Sequence, residues 1–366
     1  MRIGIDLLWV RVGIVGGTES YIRNLLDGFA EYAKEHEYIL FVAADNAESF
    51  EHYREHECMK IHVCRVDSGN QVKRILWENL YLDKEAVREQ VDVMLIPVYS
   101  MPRTHGSGIP YVSVIHDLQA LHYPQYFSWV RRTFLKYAWR HTCKASGKVI
   151  VSSDFCKQDL IARYPMVKDK IVTIYDPVNT LESGLPFQQL ANQYHIEPEG
   201  YYYCVSSMLP HKNLVTILKV MAQIKSQRNT ATCRLVISGV GGRREEFREA
   251  VKALNIEDVV VETGFVSNEE RDCLYENCKV FLFPSIFEGF GMPPIEAMRK
   301  GKQVVMTRKS CLEEVTEGKA NYVEDPMDVE EWLEQIRVAE QTPAQKEPFE
   351  RYQLEYVVKE YIENLK

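Results

Sequence analysis

Two glutamates stand eight positions apart in the stretch 285–298, SIFEGFGMPPIEAM, which directly follows the apolar run VFLF and a proline. Two adjacent prolines within it suit the first turn of a helix, where a missing N–H costs little. Gly289 and Gly291 let a ligand approach the backbone, and the helix start behind them favours an anion. The stretch predicts an anion-binding loop between a strand and a helix, flanked by the carboxylates of Glu288 and Glu296.

Each glutamate also has a simpler interpretation. Glu296 is placed in the first turn of the predicted helix, where a surface carboxylate compensates the helix dipole. Glu288 is placed at the rim of the loop, where a solvated acid is common. The spacing alone leaves both interpretations open.

Other residues that could carry chemistry also follow predicted strands. The glycine pair Gly16 and Gly17 opens a helix and could hold a phosphate, or could be an ordinary turn. His116 ends a strand, where a structural role is equally open, and Lys212 could neutralise a phosphate or be a solvated lysine. The run 238–244, SGVGGRR, begins like a dinucleotide-binding loop, but an arginine at the third glycine position weakens that interpretation. No G-x-G-x-x-G follows the first predicted strand, which argues against a nicotinamide oxidoreductase.

Apolar strand-like runs alternate with helix-like segments along the chain, which predicts parallel sheets covered by helices on both faces. We expect an α/β protein of the doubly wound class with two Rossmann-like domains, 1–180 and 181–348, and a ligand cleft between them. The polar stretch 180–200 is predicted to be a linker. The amphipathic segment 349–366 is predicted to be a helix that packs back on the first domain. Strands are predicted at 2–7, 38–42, 60–66, 93–96, 111–115, 148–151, 170–174, 202–206, 234–238, 259–262, 280–283 and 303–306.

Composition excludes several classes of protein. The 366 residues are 46% hydrophobic and 26% charged, and no apolar run approaches the roughly 18 residues of a membrane span. The nine cysteines include no C-x-x-C pair, so neither a zinc site nor a disulfide framework is indicated. The stretch MRIGIDLLWV lacks the features of a signal peptide and the cysteines are scattered, so we expect a cytoplasmic protein. The net charge is −8, and we expect no nucleic-acid partner.

Basic residues concentrate in one segment. Residues 118–153 contain no acid, and five cations follow one another at four-residue steps, at Arg132, Lys136, Arg140, Lys144 and Lys148. Aromatic residues are interleaved with them. We expect the face formed by 129–148 to meet anionic lipid headgroups at the inner side of the plasma membrane, although a simply solvated face fits the pattern as well.

Taken together, these motifs resemble retaining glycosyltransferases of the GT-B fold, family 4. The stretch Glu288 to Glu296 is similar to that family's E-x7-E signature with its G-F-G core. Supporting similarities, in chain order, are MRIGID at 1–6 with Gly16 and Gly17, VIHD at 114–117, VSSDF at 151–155, PHKN at 210–213 and GFVSNEE at 264–270.

The resemblance implies roles for individual residues. Glu288 and the N–H groups of Phe290 and Gly291 would hold the donor sugar, and Glu296 would accept from the ribose hydroxyls. Lys212, with Gly16 and Gly17, would meet the donor diphosphate, and His116 would lie near the transferred sugar. The complete expected sets are catalytic Glu288, His116 and Lys212, and donor-binding Gly16, Gly17, Ser206, Gly264, Phe265, Val266, Gly289, Phe290, Gly291, Met292 and Glu296.

The resemblance also implies a reaction: a hexose, mannose- or rhamnose-type, passes from a nucleotide-diphosphate sugar to a saccharide or polyprenyl-linked acceptor. No D-x-D sequence occurs, so we expect neither a metal nor another cofactor. Ser206 stands where many relatives carry a second arginine that binds the diphosphate. His211 stands where an arginine often precedes the lysine. Arg243 or Arg244 could supply the missing positive charge. A GT-B sugar-nucleotide 2-epimerase and a non-catalytic nucleotide-sugar-binding protein remain alternatives.

Overall fold

The computed structural model describes residues 1–14, 16–103, 106–179, 183–227 and 233–366, and these form two compact units. The N-terminal unit comprises 1–178 with 350–366, and the C-terminal unit comprises 179–349. The domain boundary predicted at 180/181 lies outside the described residues and stays a prediction.

The described part of the N-terminal unit is built on a seven-stranded parallel sheet with the order β3-β2-β1-β4-β5-β6-β7. Its strands are β1 Arg2–Asp6, β2 Glu37–Ala43, β3 Met59–Cys64, β4 Val93–Ile96, β5 Tyr111–Ile115, β6 Lys148–Val151 and β7 Ile171–Thr173. Its helices are α1 Gly17–Tyr32, α2 Gln71–Trp77, α3 Asp83–Arg88, α4 Gln119–His122, α5 Trp129–Ala145 and α6 Asp154–Arg163. A π-helical turn, Glu78–Leu82, joins α2 to α3.

The described part of the C-terminal unit repeats this arrangement with six parallel strands in the order β10-β9-β8-β11-β12-β13. The strands are β8 Tyr201–Val205, β9 Arg234–Ser238, β10 Val260–Gly264, β11 Val280–Phe283, β12 Val304–Thr307 and β13 Asn321–Val323. The helices are α7 Phe187–Tyr194, α8 Leu214–Gln227, α9 Arg244–Ala253, α10 Asn268–Asn277, α11 Met292–Arg299, α12 Leu312–Val315 and α13 Val329–Gln341. The doubly wound α/β class is therefore confirmed for both units.

The strand order reverses between β1 and β4 in the first sheet and between β8 and β11 in the second. In open parallel sheets, ligands bind beyond the carboxyl ends of the strands at such a reversal. The loops that follow these four strands are therefore where each unit would place a ligand.

The predicted linker is wrong in part, because α7 occupies the middle of it. Leu190 of α7 is fully buried, and this single apolar anchor is too weak a periodic signal to reveal a helix in a polar stretch. The short strand β13 was also not predicted.

The last helix, α14 Leu354–Leu365, belongs to the N-terminal unit and packs on α1. It begins later than predicted, since Phe349 has a φ of 42° and a 3-10 turn precedes the helix. Gly28 permits the close approach: a Cβ there would lie 2.6 Å from Cγ2 of Val358. The buried hydroxyls of Tyr21 and Tyr361 are 2.6 Å apart.

This hydroxyl pair predicts a non-additive effect on stability. Tyr361→Phe leaves the Tyr21 hydroxyl buried without its partner, which should lower the free energy of unfolding by about 1–3 kcal/mol. Adding Tyr21→Phe removes the unpaired group and should recover part of the loss. Urea denaturation of both single variants and the double variant measures the coupling, with the exposed Tyr356→Phe as control. Strictly additive losses of unfolding free energy in the double variant would contradict a coupling between the two hydroxyls.

Candidate active site

In the C-terminal unit, the loops after β8 and β11 are joined by hydrogen bonds to one carbonyl oxygen. The N–H of Ile286 donates to the carbonyl of His211 at 2.8 Å, and the Ser285 hydroxyl donates to the same oxygen at 3.2 Å. The Ser285 carbonyl in turn accepts from the hydroxyl of Thr307, at the end of β12. Three neighbouring strand ends are thereby held in a defined arrangement.

The structure brings Lys212 and Glu288 together. Lys212 ends the 3-10 turn Pro210–Lys212, and its Nζ lies 2.6 Å from Oε1 of Glu288. Their side chains are 26% and 14% exposed, so the pair is open to a ligand on one side. The N–H of Glu288 donates to the hydroxyl of Ser310 at 3.1 Å, a contact that the sequence analysis missed.

The glycine-rich loop turns sharply into α11. Gly291 caps the helix with a φ of 92°, a conformation that disfavours any side chain. A Cβ there would also lie 2.9 Å from Cδ2 of Leu312. The Cys311 thiol lies 3.3 Å from the carbonyl oxygen of Glu288 and 3.2 Å from that of Phe290. These contacts help to hold the loop in place. Gly289 and Met292 lie in the same turn, next to these residues.

Glu296 lies deeper than predicted. The helix begins at Met292, so Glu296 follows the first turn, and its side chain is only 5% exposed. The interpretation as a surface charge is therefore wrong. The Tyr275 hydroxyl donates to Oε2 at 2.8 Å, and Nη1 of Arg271 lies 3.7 Å from Oε1.

Arg271 and Tyr275 are four positions apart on α10 and therefore share one face of that helix. Burial raises the pKa of Tyr275, and the Glu296 carboxylate raises it further, so the hydroxyl stays a donor. The four-residue spacing could have indicated from the sequence that Arg271 and Tyr275 share a helix face. It does not indicate that they contact Glu296.

The remaining predicted donor-binding residues of this unit lie in adjacent loops. Ser206 is buried directly after β8, and its N–H donates to the Ser238 carbonyl at 3.0 Å. Gly264 ends β10 with a φ of 75°, next to Phe265, which is 74% exposed, and Val266. The exposed ring of Phe265 is available for a flat, apolar ligand surface.

His211 does not replace a cation. Burial and the neighbouring Lys212 ammonium lower its pKa to about 4, so its ring is uncharged at pH 7. Arg243 is better placed, because its Nη1 donates to the carbonyl of Met208, in the loop after β8, at 3.0 Å. Both arginines are also ion-paired within the unit, Arg243 with Glu246 at 3.1 Å and Arg244 with Glu262.

In the N-terminal unit, His116 follows the carboxyl end of β5 and is half-buried among polar groups. Its Nε2–H donates to the Pro97 carbonyl at 3.1 Å, which places the proton on that nitrogen. Burial lowers the pKa of His116 to about 4 and raises that of Asp176 to about 8, so both are neutral at pH 7. Their nearest atoms are 4.0 Å apart, and Asp176 is a site residue that the sequence analysis did not single out.

The helix α1 connects His116 with the predicted glycine pair. Tyr21 of α1 makes an edge-to-face contact with the His116 ring, at 4.6 Å between centroids. Gly16 precedes the helix with a φ of 62°, and Gly17 begins it. Apart from the neighbours of Gly16 in the chain, no atom of the described residues lies within 4 Å of a Cβ built on Gly16. Asp6, buried at the end of β1, has a pKa raised to about 6 by burial. Polar groups thus gather at the strand ends of this unit too.

Two further observations concern the described residues. They contain no group of three or more His, Cys, Asp or Glu side chains placed to hold a metal ion. Within the same residues, no helix combines the length and the apolar character that crossing a membrane requires.

Comparisons with known proteins identify both units. Residues 15–181 match the family model "Glycosyltransferase Family 4", and residues 187–355 match "Glycosyl transferases group 1". The O-antigen chain mannosyltransferase RfbU of Salmonella typhimurium is 28% identical over 66% of this chain and 64% of its own length. The O-antigen chain mannosyltransferase B of Escherichia coli is 28% identical over 60% of this chain and 58% of its own length. The aligned part thus spans less than two thirds of either relative.

Solved structures agree on the fold. HepE of Anabaena, crystallised with UDP and glucose, superposes with a TM-score of 0.74 at 18% identity, covering 100% of this chain and 99% of its own. WaaG, described as a glycosyltransferase involved in lipopolysaccharide biosynthesis, superposes with a TM-score of 0.69 at 14% identity, covering 99% and 95%. The chain thus matches a Glycosyltransferase Family 4 model followed by a Glycosyl transferases group 1 model, and its fold resembles those of HepE and WaaG.

Proposed function

We propose that this protein is a retaining hexosyltransferase that moves a mannose-type sugar from a nucleotide-diphosphate donor to a saccharide or lipid-linked saccharide. The observation that carries the proposal is the Lys212–Glu288 pair, 2.6 Å apart beyond β8 and β11, the strands at which the sheet order reverses. The names of the relatives RfbU and mannosyltransferase B support a mannose-type donor and an O-antigen-like acceptor. A rhamnose-type donor remains the alternative.

The geometry supports a division of labour between the two residues. Breaking a sugar–diphosphate bond leaves negative charge on the β-phosphate, and preorganised cations and N–H groups stabilise that charge most effectively. Lys212 supplies the cation. At the start of α11 the backbone N–H comes from Met292, since Pro293 and Pro294 have none. Glu288 accepts hydrogen bonds from the hydroxyls of the sugar. Arg243 is the best candidate for the second cation that Ser206 cannot provide.

Retention follows from attack on the face from which the diphosphate departs. The bond from the anomeric carbon to the phosphate oxygen breaks, the bond to the acceptor oxygen forms, and the acceptor proton passes to the departing diphosphate. His116 is neutral at pH 7 because burial lowers its pKa to about 4. It therefore contributes a hydrogen bond near the sugar rather than a positive charge.

Product analysis with a panel of nucleotide sugars tests the reaction class. Transfer releases a nucleoside diphosphate and lengthens the acceptor with the anomeric configuration unchanged. A 2-epimerase would convert the sugar nucleotide without acceptor, and a binding protein would give a thermal shift without product. Donor binding without any turnover across the panel, with acceptors present, would favour the non-catalytic alternative.

The two glutamates should separate kinetically. Glu288 is proposed to contact the reacting sugar, whose charge changes in the transition state, whereas Glu296 is proposed to contact the ribose, which changes little. Glu288→Gln should therefore lower kcat about tenfold or more, a loss of about 1.4 kcal/mol of transition-state stabilisation. Glu296→Gln should mainly raise the donor KM. Steady-state kinetics measures both.

A structural control is needed because Glu296 is buried beside Arg271. Tyr275→Phe removes the hydrogen bond to Glu296 but keeps the carboxylate. If the ribose contact is real, Glu296→Gln raises the donor KM well beyond Tyr275→Phe. Equal effects of the two variants would assign Glu296 a purely structural role, and calorimetry with nucleoside diphosphate alone checks the same point.

Turnover should not require an added metal ion. The proposal assigns the diphosphate charge to Lys212, the loop N–H groups and the glycine pair Gly16 and Gly17, and the chain contains no D-x-D sequence. Activity should survive excess EDTA within about twofold. A strict dependence on Mg²⁺ or Mn²⁺, restored by re-addition, would contradict this assignment.

We also propose that the protein works in the cytoplasm at an anionic membrane surface, through the face formed by 129–148, which comprises α5 and the first residue of β6. Trp129 and Val130 are 74% and 60% exposed at its start, next to Arg131, and such exposed apolar residues beside cations suit a headgroup region. Co-sedimentation should be stronger with anionic than with neutral vesicles and weaken with salt. Equal binding to both vesicle types would refute it.

A further inference from the structure

A cavity of about 350 Å³ lies in the N-terminal unit between α4, α5 and α6. Four of its lining side chains are cationic: Arg132, Lys136 and Arg140 of α5 and Arg163 of α6. Leu121, Pro124 and Tyr164 supply apolar wall. The cavity thus combines a concentrated positive charge with a surface that suits an uncharged substituent.

The sequence explains why three of the cations converge. Arg132, Lys136 and Arg140 are spaced by four residues, so they lie along one side of α5. Like charges at this spacing oppose each other and weaken a helix. The arrangement therefore costs some stability unless a negative charge is close.

The neighbouring elements do not supply that charge. Neither α4 nor α5 contains an acidic residue, and the two acids of α6 are directed to other partners. Asp154 accepts from the Thr173 hydroxyl at 2.5 Å, and Asp159 lies 2.6 Å from Nε2 of His122.

The four cationic side chains that line the cavity are available to a ligand. Among the described residues, the side chains of Arg132, Lys136, Arg140 and Arg163 form no ion pair, and Nε of Arg132 is buried without a hydrogen-bond partner. The Tyr164 hydroxyl already donates to the carbonyl of Lys136, at 3.3 Å. The donors that face the cavity are therefore guanidinium and ammonium groups.

We propose that this pocket binds a phosphate or diphosphate group carried by a molecule other than the nucleotide-sugar donor. Guanidinium groups match the tetrahedral phosphate oxygens with paired hydrogen bonds, and several cations around one dianion offset their mutual repulsion. The apolar wall would contact the organic part attached to the phosphate. The pocket uses none of the residues assigned to the donor. Arg132, Lys136 and Arg140 belong to the segment 129–148 proposed to meet an anionic membrane, and the pocket adds a specific site for one phosphate group to that surface.

Calorimetry with inorganic diphosphate tests the pocket. The double variant Arg140→Gln/Arg163→Gln should bind at least about tenfold more weakly than wild type, because two charge-assisted contacts are lost. The matched control Arg65→Gln/Lys168→Gln changes the charge equally, at exposed positions outside both the cavity lining and the segment 129–148, and should alter affinity less than about twofold. Equal affinities of the two double variants would overturn the proposal.

A second diphosphate site is expected at Lys212, so all titrations use a Lys212→Gln background. Diphosphate binding that depends on the pocket residues in that background is independent of sugar transfer. Failure to observe such binding would therefore leave the proposed function unaffected. Without diphosphate, the pocket variant should melt no lower than the control variant, because removing like charges relieves repulsion. With diphosphate, the midpoint should rise in the control variant but not in the pocket variant.

Vesicles distinguish a lipid phosphate from a soluble one. If the group belongs to a lipid, phosphatidylcholine vesicles containing phosphatidic acid should bind the pocket variant at least about tenfold more weakly than the control variant. If it belongs to a soluble molecule, the two variants should bind these vesicles equally while differing in the diphosphate titration. No difference between the variants in either experiment would reject the site.

Discussion

Two hydrogen bonds to a single oxygen, the carbonyl of His211, hold the candidate site of the C-terminal unit together. They join the loop that carries Lys212 to the loop that carries Glu288, so a cation from one strand end meets a carboxylate from its neighbour. A parallel sheet places these strand ends side by side, but only such cross-links between loops set the distance between functional side chains. Precise placement of this kind is what electrostatic catalysis requires.

The fold could be predicted from the sequence largely because its strands are buried on both faces. Strands such as 93–96 and 280–283 appear as unbroken apolar runs, and their observed bounds match the predicted ones. The helix α7 could not be found in this way, since its stability rests on tertiary packing of Leu190 rather than on a periodic pattern. Local sequence patterns predict residues that are buried within a strand better than residues that are buried by contacts with elements distant in sequence.

The candidate site shows the same limit. The positions of Lys212, Glu288 and His116 at strand ends followed from the alternation of strands and helices. The burial of Glu296 did not, because its partners Arg271 and Tyr275 belong to another helix and are brought to it only by folding. Likewise, the neutral state of His211 depends on burial, which its neighbours in sequence do not reveal. Contacts between elements, rather than motifs within one element, decide the electrostatics here.

The uneven distribution of charge has a consequence for how the protein meets other molecules. The chain carries a net charge of −8, yet residues 118–153 contain no acid. At physiological ionic strength, electrostatic forces between exposed charges fade over about 8 Å. At larger separations an anionic surface therefore experiences little of the basic segment, and no long-range attraction draws the protein in. Attraction begins only at near contact and in one orientation. The segment therefore determines the orientation of the protein on an anionic surface rather than the rate of association.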